Sequence, residues 1–506
     1  MEDNKKILFL ILLFTFIIYA PCLTNWFWLE DFRNIANSFL AKSNFIYLLK
    51  PVDTNKITSR PFFYFLYFID YISFGLKSWG YHLTSILIHL LNVFLLFLLV
   101  KKITGKKESA YFAFILFAFS FAFSSAIFHN AQKDELISIT FCLLTLLFFK
   151  RWIDSGRKRY YFYSLIFFFF GLLSHENIVL FPIILFLYYF YVEQKRKRLK
   201  FFIPYLILST CFFLFLLYSS PLTTFAFKRI EGKYSYSLIG IHPLKNLINY
   251  MVAFYFPNIL QTRSINLNSV PFFPLIKIFI KFLLFITPCI FIYLFIIGNR
   301  IIRFSILWII ILLFPCLLFA STISTYYIYF PFPGFTLLLG ENFYILKEKF
   351  KGKLVWKIII IFLVLYFLAS IMTIQKIREK YKQRSEKSYE VLQEINLKIP
   401  FSNEIKHFYF LNAEDFNVNF LSENIQIFRN DRVIVHISLF DTQGPIYYDL
   451  SQGIRKKDLQ FEKVIENMTS IYPNSWLITY ENDKIIELKK IKNAKTKINN
   501  SNPGKK

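Results

Sequence analysis

Cysteine is scarce in this chain of 506 residues, and the five present, Cys22, Cys142, Cys211, Cys289 and Cys316, are odd in number and scattered in or beside apolar runs. That pattern excludes a disulfide framework or a thiolate metal site, and the cysteines read as packing residues. Charge is thin too, at 18% of residues, with acids outnumbered by bases, 32 to 59. No solenoid-type repeat is visible. After the first apolar run, Tyr19-Ala20-Pro21-Cys22 offers no small-x-small cleavage site, so that run reads as a retained span and not as a removed signal peptide.

What fills the chain is apolar: 56% of residues are hydrophobic and 21% aromatic, with 66 phenylalanines. A soluble domain is excluded as the main part. Runs long enough to cross a hydrocarbon core of roughly 30 Å as helices fall near 7–24, 83–100, 109–127, 136–151, 160–174, 177–192, 201–219, 273–298, 304–320, 333–346 and 355–374. The fold class expected is a polytopic α-helical membrane protein of about eleven spans, with amphipathic helices on its outer face and a small C-terminal α+β domain.

The basic clusters set the orientation, because positively charged short loops stay cytoplasmic. Lys101-Lys102 with Lys106-Lys107, Lys150-Arg151 with Arg157-Lys158-Arg159, Lys195 to Arg198, Arg300 with Arg303, and Lys347 to Lys357 each follow an even-numbered span if the N-terminus is cytoplasmic. The net charge of +27 then marks an inner face and its anionic lipids, and nucleic-acid binding is excluded as the reading of it. The outer face collects residues 25–80, 128–135, 174–176, 220–272 and everything beyond about 376. Within these, Phe62, Phe65, Tyr67 and Phe68, and the stretch Leu244 to Phe256, suggest short interfacial helices. The chain divides into a membrane domain, 1–375, an extracytoplasmic α+β domain, 376–492, and a disordered tail, 493–506. Strands are expected at His407–Leu411, Arg432–Leu439, Ser475–Tyr480 and Lys484–Leu488, the last two joined by a turn at Glu481-Asn482-Asp483.

One polar feature stands out: Glu30 and Asp31, adjacent carboxylates in Trp26-Phe-Trp-Leu-Glu-Asp-Phe32, just past the first span. Acids among aromatic residues at a membrane surface are costly and point to chemistry or ion binding. The bland alternative is a solvated pair capping an interfacial helix. Arg60 as a snorkelling side chain and Lys133-Asp134 as a polar turn are the matching bland readings further on. His82 and His89 read as packing histidines, and the Asn467-Met-Thr469 glycosylation pattern carries no assigned role.

Taken in order, these segments resemble the GT-C membrane glycosyltransferases, which include protein O-mannosyltransferases and bacterial transferases that modify lipid A or surface glycans. The resemblance rests on Glu30-Asp31, Ser59-Arg60-Pro61-Phe62, Gly80 to Asn92, Gln132-Lys-Asp-Glu-Leu136, Leu173-Ser-His-Glu176 with Pro182, Asn246 to Tyr250 with Phe256-Pro257, and Tyr326 to Gly334. Two positions depart from the family pattern: Tyr326 where relatives usually carry arginine, and His175 where they usually carry lysine. The resemblance implies transfer of a sugar from a polyprenyl phosphate to a hydroxyl of a lipid, glycan or protein acceptor at the cell's inner membrane, on its extracytoplasmic face and with inversion. Such transfer needs a carboxylate base and cations for the departing phosphate. Glu30 and Asp31 are the implied catalytic pair, the leading acid being the family's usual base. Arg60, Lys133, His175 and Arg263 are the implied phosphate ligands; Asp134 and Glu176 would position substrate. Asp31, Asp134 and Glu176 would hold an optional divalent cation. A transporter of lipid-linked glycans would place ionisable groups near the midplane in repeated halves, and an inactive scaffold would keep the fold without turnover; these are the alternatives.

Overall fold

A computed structural model describes residues 2–51, 57–195, 199–219, 241–255, 273–318 and 325–401, then Glu404 and the segments 406–411, 425–428, 433–437, 446–449, 454–457, 475–481 and 484–490. In chain order the helices are α1 (Glu2–Tyr19), α2 (Glu30–Ala41), α3 (Ile46–Leu49), α4 (Pro61–Phe74), α5 (Ser78–Thr104), α6 (Lys107–Ala118), α7 (Ser124–Phe128) and α8 (Lys133–Ser155). They continue as α9 (Lys158–Leu172), α10 (Phe181–Leu187), α11 (Ile203–Ser219), α12 (His242–Ala253), α13 (Phe273–Ile297), α14 (Arg300–Leu317), α15 (Phe332–Phe350) and α16 (Leu354–Lys398). Six strands follow: β1 (Lys406–Leu411), β2 (Val433–Ile437), β3 (Ile446–Asp449), β4 (Ile454–Lys457), β5 (Ser475–Glu481) and β6 (Lys484–Lys490).

The chain is an integral membrane protein. Among the described residues six helices are long and apolar enough to cross a membrane, or seven if α6 and Phe121–Phe128, bent by 43° at their break, form one span. Some of the other expected spans fall on shorter or interrupted pieces. α9 has 15 residues, about 22 Å of helix, and the path from Glu176 to Val192 changes from 3-10 to α to π geometry. Eleven crossings would require such short or broken segments to serve as spans too.

The chain forms two units: Met1–Cys22, Ser59–Phe63 and His82–Glu379 make the first, and Leu23–Thr58, Tyr64–Tyr81 and Lys380–Lys506 the second. In the first unit, polar side chains stitch apolar helices together, as they must where no water can satisfy them. Ser164 donates to the Thr145 carbonyl and Tyr205 to Ser164 Oγ, both at 2.8 Å, tying α8, α9 and α11. The α8–α9 turn is closed by Gly156 at φ +68, the left-handed position that glycine takes freely. Asn92 of α5 donates to the Leu136 carbonyl (2.8 Å) and accepts from Thr140 (2.7 Å), fixing the first turns of α8. α6 and α15 approach closely enough that a Cβ on Gly340 would lie 2.6 Å from the Ser109 carbonyl oxygen, with Phe112 and Phe343 stacked at 4.4 Å beside them.

In the second unit the strand order is β4-β3-β2-β1-β5-β6, with β1 parallel to both β2 and β5 and the outer pairings antiparallel. Val391, Leu392, Ile395 and Ile399 form its core with Phe408, Ile425, Val433, Ile478 and Ile485. Trp26 packs on that core. Its backbone N–H donates to Ser385 Oγ (3.2 Å), and its ring meets Tyr389 and Phe428 at 5.0 and 5.1 Å. The four expected strands are present as β1, β2, β5 and β6, while β3 and β4 were not foreseen. The expected interfacial helices around 25–80 and from Leu244 correspond to α2 to α4 and to α12. Arg263, Pro257, Asn467 and residues 493–506 lie outside the described residues.

Candidate functional site

In the first unit three stretches converge. Pro61 opens α4, a first-turn position that suits proline because its missing N–H would have had no partner there. The Phe62 N–H donates to the Leu173 carbonyl at 3.0 Å, and the Phe62 ring packs on Phe141 and Phe170 at 5.1 and 5.5 Å. These contacts hold Arg60 against the turn after α9 and the head of α8. Ahead of α8, Ser85 donates to Asn130 Oδ1 (3.2 Å). Asp134 and Glu135 occupy the first turn of α8, where carboxylates suit the positive end of the helix.

Arg60 spends its guanidinium on two acids. Nε donates to Glu176 Oε2 at 2.8 Å and Nη2 to Glu176 Oε1 at 2.5 Å, a bidentate fork. Nη1 donates to Asp134 Oδ2, whose other oxygen accepts from the Glu135 N–H (3.0 Å). The side chain of Asp134 is 4% exposed, whereas Arg60 and Glu176 are about a third exposed, at 34% and 35%. Beside them, His175 Nε2 lies 3.3 Å from Glu135 Oε1, and its Nδ1 accepts from the Asn177 N–H (3.2 Å) at the start of the 3-10 segment Glu176–Leu180. The Oε2 atom of Glu135 is buried without a hydrogen-bond partner among the described residues.

Charge follows from this geometry. Burial alone would raise the Glu176 carboxyl, but Arg60 and His175 more than offset it and hold it well below the usual carboxylate range. Burial opposes a charge on His175, yet Glu135 and Glu176 outweigh both burial and the repulsion of Arg60, so the imidazolium survives to higher pH than usual. Full protonation gives up the Asn177 contact and leaves Nδ1 at an ion-pair distance of 3.9 Å from Glu176 Oε2.

Of the residues singled out in the sequence, Arg60, Asp134, His175 and Glu176 therefore meet. Lys133 opens α8 and is fully buried. Glu135 was missed. Its signal was present in the Lys133-Asp-Glu run, but a step of about 100° along the helix sends adjacent acids to different partners. A divalent cation does not fit this donor set as it stands, because Asp134 and Glu176 already enclose a guanidinium. Among the described residues no group of three or more His, Cys, Asp or Glu side chains gathers as a metal site.

Glu30 and Asp31 belong to the second unit, in the first turn of α2. The chain enters that helix through Leu29 at φ 49, ψ −121, a region that costs a leucine about 1–3 kcal/mol. Asp31 is 1% exposed. Its Oδ1 accepts from the Tyr67 hydroxyl (2.8 Å) and its Oδ2 from the Trp28 N–H (3.1 Å). Glu30 is half-buried. Tyr381 and Arg384 of α16 stand over Trp28 at 5.3 and 5.0 Å, bringing a phenol and a cation to the same loop.

Residues 60–219 match the family model of dolichyl-phosphate-mannose-protein mannosyltransferases. That stretch holds the Arg60 cluster and begins after the acid pair. No protein of curated function matches the sequence. The solved structure of ArnT from Cupriavidus metallidurans in the apo state is similar in fold over 94% of this chain and 93% of that one, at 12% identity and a TM-score of 0.54. The same protein bound to undecaprenyl phosphate is similar over 93% and 92%, at 12% identity and a TM-score of 0.50. An oligosaccharyltransferase from Archaeoglobus fulgidus is similar over 82% of this chain and 61% of that one, at 14% identity and a TM-score of 0.46. The Arg60 cluster thus lies in a stretch that resembles the mannosyltransferase family model, and the chain shares an ArnT-like fold along nearly its whole length.

Proposed function

We propose that the protein transfers a sugar from a polyprenyl phosphate to a hydroxyl of a lipid, glycan or protein acceptor at the extracytoplasmic face of the cell's inner membrane. Glu30 is the general base and Asp31 its positioning neighbour. The observation that carries this division is the contrast within the pair: Asp31 is buried with both oxygens engaged, while Glu30 is half-buried at the head of α2. A base must reach the proton it removes, and Asp31 is committed to holding the loop. Displacement of the phosphate by the activated hydroxyl inverts the anomeric centre. The departing phosphate meets Arg60, with His175, Lys133 and Arg263 as further cations; before the donor binds, Asp134 and Glu176 hold Arg60 in place.

Support for the donor class comes from the family match and from a fold neighbour described as bound to undecaprenyl phosphate; fold likeness alone does not fix a substrate. In this reading the N-terminus is cytoplasmic, about eleven segments cross the membrane, residues 376–492 form an extracytoplasmic domain, and 493–506 are a tail. The test is transfer from a labelled polyprenyl-phosphate sugar by purified protein. Glu30→Gln should lower turnover by about 100-fold or more, and Asp31→Asn should lower it less. Wild-type turnover in Glu30→Gln would refute the assignment, and translocation of the lipid-linked sugar without a new glycosidic bond would refute the reaction.

A further inference from the structure

Two of the cations expected to receive the donor phosphate, Arg60 and His175, already face carboxylates. Arg60 is held by Asp134 and Glu176, His175 lies against Glu135, and Lys133 is buried at the head of α8. A guanidinium whose edges are already taken by carboxylates has little left to offer an anionic phosphate. One of these carboxylates must withdraw first. Asp134 is poorly placed to do so: it is 4% exposed, and its second oxygen is tied to the Glu135 backbone in the first turn of a long helix. Glu176 is 35% exposed and heads a short 3-10 segment. It occupies Nε and Nη2 of Arg60, the edge of the guanidinium that suits two phosphate oxygens.

Resting on the reading of Arg60 as a phosphate ligand, we infer that Glu176 is a substrate-displaced gate on Arg60: the donor phosphate binds by taking over the bidentate edge that Glu176 holds. Asp134 keeps Nη1 and therefore the position of Arg60 during the exchange. The released carboxylate has a second cation within reach, since Glu176 Oε2 already lies 3.9 Å from His175 Nδ1. Glu135 gives independent reason to expect a ligand here, because its Oε2 is buried without a hydrogen-bond partner among the described residues while its other oxygen lies against His175. A donor hydroxyl on the incoming sugar would satisfy it. Glu176 thus sets the threshold for entry: a ligand has to offer Arg60 a better pair of oxygens than a carboxylate does, which selects phosphate over weaker anions.

The test is equilibrium binding of undecaprenyl phosphate to the purified full chain in detergent, with thermal unfolding recorded for each variant. Glu176→Gln removes the charge, and Glu176→Asp keeps it on a stem one methylene too short for the fork. Both should bind about tenfold more tightly than wild type, the scale of one charge-assisted hydrogen bond. Arg60→Gln should bind more weakly, and Arg60→Gln/Glu176→Gln no more tightly than Arg60→Gln alone. If Glu176→Gln tightens binding and Glu176→Asp does not, the effect is one of field and the gate is refuted. If neither tightens binding while Arg60→Gln weakens it, the gate is refuted and Arg60 remains a phosphate ligand. If Arg60→Gln binds as wild type does, the reading of Arg60 falls and the gate with it. Should Glu176→Gln fail to fold, the Glu176→Asp comparison decides.

Discussion

Tyr67→Phe isolates the part that Asp31 plays. The phenol hydroxyl donates to Asp31 Oδ1 at 2.8 Å, in a side chain 1% exposed, while Oδ2 accepts the Trp28 N–H. Removing the hydroxyl leaves a buried carboxylate short of one hydrogen bond and a cavity of a single oxygen atom. Net contributions of hydrogen bonds to charged groups run at roughly 1.5–3 kcal/mol. Since 1.36 kcal/mol is a factor of ten in an equilibrium constant, the loop that begins α2 should open about 10- to 150-fold more often. The Trp28 amide is the reporter, because its protection depends on the carboxylate that Tyr67 steadies. Amide hydrogen exchange of peptides covering residues 26–33, in the full-length detergent-purified protein, should accelerate by that factor, with peptides from α8 unchanged as the internal control. On the proposed mechanism sugar transfer should fall, though less than in Glu30→Gln, because the proposed base is present but less well held. Exchange within about twofold of wild type would refute the reasoning: it would mean that the Asp31 carboxylate is held without Tyr67 and that Asp31 is not the group that orders the loop.

Two further outcomes follow from the first unit. His175 is held protonated above its ordinary pKa of about 6.5, so the folded state binds more protons than the unfolded one between that value and the raised one; its contribution is complete below the ordinary pKa and is lost as pH rises through the raised one. Thermal stability of the wild type should therefore decline over that upward window relative to His175→Gln, and parallel curves would refute the pairing with Glu135. Gly340→Ala places a Cβ 2.6 Å from the Ser109 carbonyl oxygen and should destabilise the α6–α15 contact by about 1–3 kcal/mol, seen as a lower unfolding temperature with stable insertion; an unchanged midpoint would show that the helices part easily.

The sequence was informative where chemistry is local and less so where it is assembled. Glu30 and Asp31 could be found because two carboxylates among tryptophans are conspicuous in one short window. That Asp31 is held by Tyr67, 36 residues on, is carried by no local pattern. Arg60 meets Asp134 and Glu176 across separations of 74 and 116 residues, so that a cation expected to await a phosphate is already engaged by acids. Strands with strong β-branched and aromatic content, such as Val433–Ile437 and Ser475–Glu481, could be read directly. The four-residue β3 and β4 are too short to show a period. Hydropathy finds apolar mass but not continuity, so a bent pair such as α6 with Phe121–Phe128 and a path such as Glu176 to Val192 look like plain spans until the backbone is traced.

The seat of Trp26 has a consequence in time. The residues that hold it, Ser385, Tyr389 and Phe428, come from the far end of the chain, the first of them 359 residues later. At roughly 5–20 residues per second, a ribosome needs on the order of 20–70 s between making that tryptophan and making its partners. The segment leading into Glu30 cannot adopt its final course in that interval, however early its own helix forms. The order of that segment therefore waits on the synthesis of Ser385, Tyr389 and Phe428 and not on its own helix.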